Sequence, residues 1–405
     1  MARYRWRPVI LLESANAASG VANAIVMIVI PWLVLERTGS AAYAGLVVAA
    51  ASLPGIVVAP LVGFAIDRFG RRIVSIVSDI LSALSVAAFP LVALVQDITL
   101  PWILALAVLG ATFDPAGFTA RKSLLPDVAT ASRFPLDRLN GIHEGVFGVG
   151  WAIGPALGAV LIGVVGPVQA FWVPFGLFVV AILTIVALRV GDAGQEARRA
   201  AGEEHLGAWQ GLVLGAKILW HDRALRAITV ALMVLAAVYL PTESVVLPAY
   251  FQGLGQPTSL GILVSVMSVG TIVGAFGYGW LSRRFTRYQL ARAVLVGTSI
   301  AIVPLALLPP LPVMIAAGFL LGLAWGPFSP LMNTLVQRRV PADVQGRVYG
   351  VQMSLFYAAP PVAFLLTGWS VEAFGVQVTY IALAGVLVAT SIGVLFVRSI
   401  RDIDN

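Results

Sequence analysis

The chain has 405 residues, of which 59% are hydrophobic and 11% are charged, and its mean hydropathy is +0.94. Because a soluble domain carries about 25% charged residues, this chain lacks the polar surface needed to cover itself in water. The composition therefore excludes a soluble enzyme, a secreted disulfide scaffold and a disordered regulator. Cysteine is absent and the three histidines are scattered, so the sequence predicts neither a metal site nor a bound cofactor.

Apolar runs near the length of a transmembrane helix, about 20 residues, recur from end to end. Such runs are helical, because only helices and closed barrels satisfy every backbone group in lipid. The sequence predicts an all-α integral membrane protein with twelve transmembrane helices in two pseudo-symmetric bundles of six. The predicted spans are 9–35, 42–66, 73–95, 101–120, 140–164, 168–189, 225–250, 258–281, 289–308, 312–336, 348–370 and 376–398.

A polar stretch separates the sixth and seventh spans. Residues 190–222 mix glycine, alanine and charges of both signs, which is typical of a solvated linker, and a short surface helix is predicted near Trp209–Trp220. The chain is therefore expected to consist of an N-terminal bundle (1–190), a cytoplasmic linker (191–223) and a C-terminal bundle (224–405).

The distribution of basic residues predicts the orientation, because cytoplasmic loops of membrane proteins are enriched in lysine and arginine. With a cytoplasmic N-terminus, 25 of the 26 lysine and arginine residues lie in cytoplasmic segments, and only Arg37 lies outside. We therefore expect a multi-pass protein of the cytoplasmic membrane with both termini in the cytoplasm. The same distribution explains the net charge of +7 without a nucleic-acid partner.

The two halves share a weak internal repeat. A shift of 216 residues aligns segment 63–71 with segment 279–287. The other aligned pairs are Gly39 with Gly255 and Gly45 with Gly261 at the same shift, and Gly110 with Gly322 and Pro115 with Pro327 at a shift of 212. Because secondary transporters are commonly built from structural repeats, these matches predict two related bundles.

The turn after the second span combines glycines, one acid and three arginines. It contains Gly63, Asp67, Arg68, Gly70, Arg71 and Arg72. Gly63 permits close helix approach and Gly70 permits a tight turn. The arginines can simply enforce topology, or Asp67 can join them in a latch that holds one conformational state. The segment resembles the signature loop of the major facilitator superfamily, and this resemblance implies a gating role.

The fifth predicted span carries a glycine at every fourth position. Gly150, Gly154 and Gly158 form one smooth helix face, and Pro155 weakens the backbone ladder. This face can serve packing alone. The segment resembles the signature of proton-coupled exporters in the same superfamily, although Ala159 replaces the final glycine. The resemblance implies that the face meets a helix of the other half and seals one state against proton leak.

Further stretches are similar to the mycobacterial Tap type of multidrug efflux pump in this superfamily. They are residues 31–35, 136–141, 239–244, 308–312 and 345–348. The resemblance covers essentially the whole chain and implies substrates such as tetracyclines or aminoglycosides. The superfamily's usual arginine motif in the fourth span is missing, since residues 110–117 read Gly-Ala-Thr-Phe-Asp-Pro-Ala-Gly. The proton path of relatives that use that arginine therefore does not transfer.

Five acidic residues lie within the predicted spans, where an ionised side chain costs about 2.5–3.5 kcal/mol at the bilayer centre. They are Glu13, Asp79, Asp114 and Glu144, predicted in the cytoplasmic half of the membrane, and Glu243, predicted in the outer half. An unpaired carboxylate there either keeps a proton or attracts a cation. The candidates for binding protons or substrate are Glu243, Glu144, Asp114, Glu13, His143, Asn16 and Tyr239.

Most of these carboxylates also have a structural explanation. Asp79 is expected to pair with Arg71 or Arg72, Glu13 can reach toward Arg5 or Arg7, Asp114 can cap a helix broken at Pro115, and Glu144 can join an interfacial cluster with Asn140 and His143. Glu243 has the weakest structural explanation, because it is deep in its span, unpaired, and bracketed by Pro241 and Pro248. It is therefore the leading candidate for coupling.

These observations predict a proton-coupled multidrug efflux antiporter, not an enzyme, which exports amphiphilic and often cationic drugs by alternating access. Its expected partners are small-molecule drugs, protons and membrane lipids, its energy source is the proton gradient, and it is expected to be a monomer. An exporter of an endogenous siderophore or lipid on the same fold is the alternative. A receptor without transport activity also fits the hydropathy, but the buried acids and the fifth-span motif argue against it.

Overall fold

The structure, a computed structural model, describes residues 4–191, 208–340 and 345–396, and contains no strand within these ranges. The α-helices, numbered in chain order, are α1 Trp6–Thr38, α2 Ala41–Phe69, α3 Arg71–Val95, α4 Leu100–Ser123, α5 Leu125–Ser132, α6 Leu136–Val165, α7 Trp172–Ala187, α8 Ala208–His221, α9 Arg223–Pro241, α10 Leu247–Gly253, α11 Pro257–Leu281, α12 Arg287–Ala306, α13 Leu311–Trp325, α14 Phe328–Arg339, α15 Gln345–Phe374 and α16 Val376–Phe396.

Every predicted span coincides with helical chain. Among the described residues, 10 helical segments are long and apolar enough to cross a membrane. Helices α2, with 29 residues, and α15, with 30, occupy the other two predicted positions. The seventh span consists of α9, a π-helical turn and α10, and the tenth consists of α13 and α14. The surface helix predicted near Trp209–Trp220 is α8.

Equivalent turns in the two halves contain glycines with the same backbone conformation. Gly39 and Gly255 both have a φ of 66°, and Gly166 and Gly375 have φ values of 81° and 83°. Glycine adopts this left-handed region without the steric cost that a Cβ brings. The alignment of Gly39 with Gly255 is therefore confirmed by geometry.

The helix neighbours also repeat. In the first half α1 packs against α6 and α7, and α3 packs against α4 and α7; in the second half α9 packs against α15 and α16, and α12 packs against α13 and α16. These are the same pairs by position within each set of six spans. A buried apolar cluster lies between α1, α5, α6 and α7 and contains Leu12, Val128 and Ile185. The two bundles are thus related by sequence, by turns and by packing.

Contacts divide the chain into two compact units, one made of Met1–Gly39 and Ala50–His205 and the other of Ser40–Ala49 and Leu206–Asn405. The start of α2 therefore packs with the second unit, which the sequence did not indicate. It does so because the backbones of α2 and α15 approach closely. A Cβ placed on Gly368 of α15 would lie only 2.7 Å from the Ala41 carbonyl oxygen of α2. Small residues permit such backbone contact in membranes.

Glu372, at the end of α15, binds the start of α2 through hydrogen bonds. Its carboxylate accepts hydrogen bonds from the Ser40 hydroxyl, at 2.7 Å, and from the Ala42 amide, at 3.2 Å. These donors stabilise the charged form and hold the pKa of the Glu372 carboxyl below its usual value. The carboxylate also satisfies an amide that the first turn of a helix leaves without an intrahelical partner.

Candidate functional site

Glu243 lies in a π-helical turn, Thr242–Val246, that interrupts the seventh span. The Leu247 amide donates to the Thr242 carbonyl, five residues earlier. Pro248 follows directly and has no backbone N–H, so it cannot continue the regular ladder. Single π turns inside helices are frequent at functional sites. The two prolines that singled out this segment in the sequence therefore bracket a real irregularity.

The Glu243 side chain is partly exposed and interacts with the Tyr239 hydroxyl, one turn earlier, and with Tyr380 of α16. The same hydroxyl interacts with Thr271 of α11. Among the side chains that the structure describes, no salt bridge involves Glu243. The structure thus brings two predicted site residues together, Glu243 and Tyr239, and shows no cation beside them.

An aromatic stack extends from Tyr239. Its ring stacks on Trp325, with centroids 4.4 Å apart and planes 12° from parallel, and Trp325 stacks on Phe328 at 4.6 Å and 9°. The break between α13 and α14, at Gly326 and Pro327, lies between Trp325 and Phe328, whose rings belong to the same stack. Aromatic faces attract cations through their quadrupole. A carboxylate and aromatic faces therefore lie together in the second unit.

Asp114 receives a hydrogen bond from the Ser82 hydroxyl of α3 at 2.7 Å and remains partly exposed. The prediction that Asp114 caps a broken helix is wrong, because α4 continues without interruption through Pro115. Transmembrane helices tolerate proline when neighbouring groups satisfy the freed backbone. Asp114 is thus a membrane carboxylate with a neutral partner on the next helix.

Asp79 forms a buried ion pair with Arg121 of α4. The Arg121 Nη1 lies 2.9 and 2.8 Å from the two Asp79 oxygens, and its Nη2 donates to the Ser19 hydroxyl of α1 at 2.8 Å. The side chains of Arg121 and Asp79 are 3% and 2% exposed, respectively. The prediction that Asp79 forms an ion pair is confirmed. The predicted partners, Arg71 and Arg72, are wrong, because the partner is Arg121. Arg121 reaches Asp79 because α4 extends beyond the predicted end at 120.

Arg71 and Arg72 bind other groups. Arg71 forms an ion pair with Asp127 of α5 at 2.8 Å. Arg72 donates to the Ile185 carbonyl of α7 at 3.0 Å and to the Val186 carbonyl. Both arginines thus join the start of α3 to other elements of the first unit.

Gly70, which precedes these arginines, has a φ of 88°, as expected for a tight turn. Arg68 is exposed, with its guanidinium 5.8 Å from the Phe69 ring centroid. The surroundings of Gly63 and the Asp67 side chain lie outside the described part of the structure, so the proposed latch stays a prediction.

Glu13, Asn16 and His143 form a buried cluster between α1 and α6. The His143 Nδ1 lies 3.1 Å from a Glu13 oxygen, and the Asn16 amide donates to the His143 carbonyl at 2.9 Å. The prediction that Glu13 reaches toward arginines near the N-terminus is therefore wrong. The structure instead joins Glu13 to Asn16 and His143, two other candidates for binding protons or substrate.

Glu144 points away from this cluster. Its carboxylate pairs with Lys122 of α4 at 2.6 Å, and both side chains are about half exposed, at 53% and 50%. The predicted cluster of Glu144 with Asn140 and His143 is therefore wrong, because His143 is bound to Glu13 and the Asn140 amide donates to the Leu136 carbonyl. Exposed pairs of this kind contribute little to stability.

The glycine face of α6 packs against α1 of the same unit. A Cβ on Gly158 would lie 3.3 Å from the Ile25 carbonyl oxygen, one on Gly150 would lie 3.3 Å from the Val21 amide, and one on Gly154 would overlap Ala24. The expectation of close helix approach is confirmed, with α1 as the helix that approaches these three glycines. The sealing of one state that the resemblance implies stays a prediction. Helix α6 continues through Pro155.

Sequence reasoning missed Arg121, Ser82 and the stacking of Trp325 on Phe328. Arg121 was assigned to a cytoplasmic loop, and nothing in the linear sequence connects it to Asp79. The aromatic pair does have a signal, since Trp-Gly-Pro-Phe at 325–328 places two rings on either side of a helix break.

Comparison with solved structures identifies the fold class. The crystal structure of the nucleoside transporter NupG superposes with a TM-score of 0.79 at 11% identity, covering 96% of this chain and 98% of that one. The inward open conformation of the xylose transporter XylE from E. coli gives a TM-score of 0.66 at 13% identity, covering 96% and 95%. At these identities the likeness concerns the fold, which is that of multi-pass membrane transporters.

Sequence comparison then gives the family. The Major Facilitator Superfamily profile matches residues 13–363 and 244–404. The multidrug efflux pump Tap of Mycolicibacterium fortuitum is 37% identical over 400 residues, covering 98% of this chain and 97% of that protein. Its counterpart in Mycobacterium tuberculosis strain H37Rv is 36% identical, with 98% and 95% covered. The macrolide efflux protein A of Streptococcus pyogenes is 20% identical, with 96% of each chain covered. The chain belongs to the Major Facilitator Superfamily.

Proposed function

We propose that this protein is a proton-coupled multidrug efflux antiporter of the cytoplasmic membrane, with both termini in the cytoplasm. It exports amphiphilic cationic drugs by alternating access and works as a monomer. The observation that carries this proposal is Glu243, a partly exposed membrane carboxylate without a cationic partner among the described residues, beside an aromatic stack. The identity to Tap efflux pumps over almost the whole chain supports the direction and class of transport.

Competition for the Glu243 carboxylate provides the coupling. A bound cation stabilises the ionised carboxylate and so expels its proton, whereas a proton removes the charge that attracts the cation. Each ligand then changes the affinity of the other by the same factor. The Tyr239 ring, which stacks on Trp325, lies next to this carboxylate, and a cation beside the outer face of the stack would gain cation–π attraction.

A second carboxylate is needed to pass the proton toward the cytoplasm. Asp114 suits this role, because its hydrogen-bond partner Ser82 is neutral and leaves the carboxylate free to gain and lose a proton. Glu144 suits it less, since its pairing with Lys122 stabilises the ionised form. Asp67 and the arginines around Gly70 would control the cytoplasmic gate, with Asp67 contributing only in the outward-facing state.

The proposal is tested in proteoliposomes that contain purified protein and a trapped pH indicator. Addition of a cationic drug should release protons from the wild-type protein, and Glu243→Gln should abolish this release, because the amide has no proton to give up when the cation binds. The matched control is Glu36→Gln, an exposed carboxylate at the end of α1. A Glu243→Gln protein that still releases protons at the wild-type rate contradicts the assignment of coupling to Glu243.

The same assay separates drug export from export of an endogenous compound. The panel should include a tetracycline, an aminoglycoside, a siderophore and a lysolipid. Proton release by the siderophore or lysolipid alone would replace drug efflux with the alternative function on the same fold.

A further inference from the structure

The cluster of Glu13, Asn16 and His143 contains two polar atoms that nothing in the described structure satisfies. Asn16 and His143 are 1% and 0% exposed, and their Oδ1 and Nε2 atoms have no hydrogen-bond partner. A buried polar atom without a partner has lost its hydrogen bonds to water and gained none in return, which destabilises the fold. Such atoms in a native fold point to a function or to a bound water molecule.

The geometry fixes which histidine nitrogen exchanges a proton. The Nδ1 atom faces the Glu13 carboxylate at 3.1 Å, so an ionised Glu13 favours the tautomer that carries its proton on Nδ1. The Nε2 atom then carries the lone pair of the neutral ring. It is therefore the atom that gains a proton when the ring becomes charged.

We propose that Glu13 and His143 form a proton-binding site in the first unit, in which His143 Nε2 takes up and releases one proton. With an ionised Glu13 and a neutral ring the pair carries one negative charge. Proton uptake turns it into an ion pair with no net charge, which buried surroundings favour over an isolated charge. The role of this site in transport rests on the proposed proton coupling, but its existence does not.

The other charged groups near the cluster are engaged elsewhere. Arg121 on α4 binds Asp79, Lys122 binds Glu144, and Asp127 on α5 binds Arg71. Asp114 accepts a hydrogen bond from Ser82, and α7, which also packs on α1, has no titratable residue. Arg5 and Arg7 at the start of α1 are exposed. Glu13 is thus the charged group in contact with the His143 ring.

The chain has only three histidines, so the site can be observed directly. In a His205→Asn, His221→Asn protein labelled with ¹⁵N-histidine and placed in lipid nanodiscs, every imidazole signal comes from His143. We expect the neutral ring to carry its proton on Nδ1, and the Nε2 signal to report proton uptake across the pH series. The midpoint of this uptake should move in Glu13→Gln, because the amide does not offset the charge of the protonated ring.

Two controls separate a specific effect of Glu13 on His143 from a general effect on the fold. Glu144→Gln removes the adjacent carboxylate on α6, which faces Lys122. It should leave the midpoint of proton uptake by His143 unchanged. The tautomer is read with Glu13 and His143 both intact, so it tests the proposal even where Glu13→Gln does not fold. A neutral ring protonated on Nε2, a ring that keeps one protonation state from pH 5 to 9, or a midpoint insensitive to Glu13→Gln overturns the proposal. No drug or gradient is used, so these outcomes are independent of those at Glu243.

Discussion

The carboxylates of this protein differ in their partners rather than in their chemistry. Asp79 is bound to a buried guanidinium, Glu144 to an exposed ammonium and Asp114 to a hydroxyl. Glu243 contacts a tyrosine hydroxyl. A carboxylate bound to a cation is held ionised, whereas one beside a neutral group can exchange a proton. The partners thus separate structural acids from candidates for coupling.

The buried pair of Asp79 and Arg121 should be needed for stability. Asp79→Asn leaves the guanidinium without a counter-charge in a water-poor site, and breaking buried pairs in this way costs about 3–5 kcal/mol. We expect a clear fall in the thermal unfolding temperature of the purified protein in detergent. Glu144→Gln, which breaks an exposed pair, should cost below about 1 kcal/mol.

A double variant distinguishes the ion pair from simple packing. Asp79→Leu with Arg121→Met removes both charges and keeps apolar volume, and should recover most of the lost stability, because isolated buried charge is the main penalty. A double variant as unstable as Asp79→Asn would show that the pair does more than neutralise charge.

Among the elements, the contact of α1 with α6 depends on the absence of side chains at three positions. Gly154→Ala places a Cβ against Ala24, with the backbone of Val21 and Ala24 within 3.2 Å. The two helices must separate or shift, so we expect a lower unfolding temperature. Gly145→Ala on the same helix meets nothing within 4 Å and should be neutral or stabilising. Equal unfolding temperatures of the two variants would contradict the close approach.

Helix positions could be predicted from sequence far better than helix contacts. All twelve spans were found because apolar length is a local property that lipid imposes on each segment separately. The contact of the glycine face with α1 could not be predicted, because a face of small residues indicates close approach but carries no information on which helix approaches. The break between α13 and α14 was also missed, although Pro327 marks it.

For the whole molecule, the charge distribution predicts the orientation in the membrane. The cysteine-free chain allows single cysteines to be placed at will. With membrane-impermeant maleimide on intact cells, Asp97→Cys, in the turn between α3 and α4, should react. Ser282→Cys, in the turn after α11, should react only after the cells are opened. The opposite pattern would reverse the orientation, and with it the direction of the proposed proton path.

The sequence by itself determined the membrane location, the twelve spans, the repeat and the family, because each depends on local composition or on short motifs. It also singled out Glu243, since an acid between two prolines in an apolar run is conspicuous without coordinates. Only the tertiary structure decided which acid has which partner. Asp79 meets Arg121 across 42 residues, and Glu13 meets His143 across 130. Helix packing sets those distances, and packing is decided by the shapes of all the faces together.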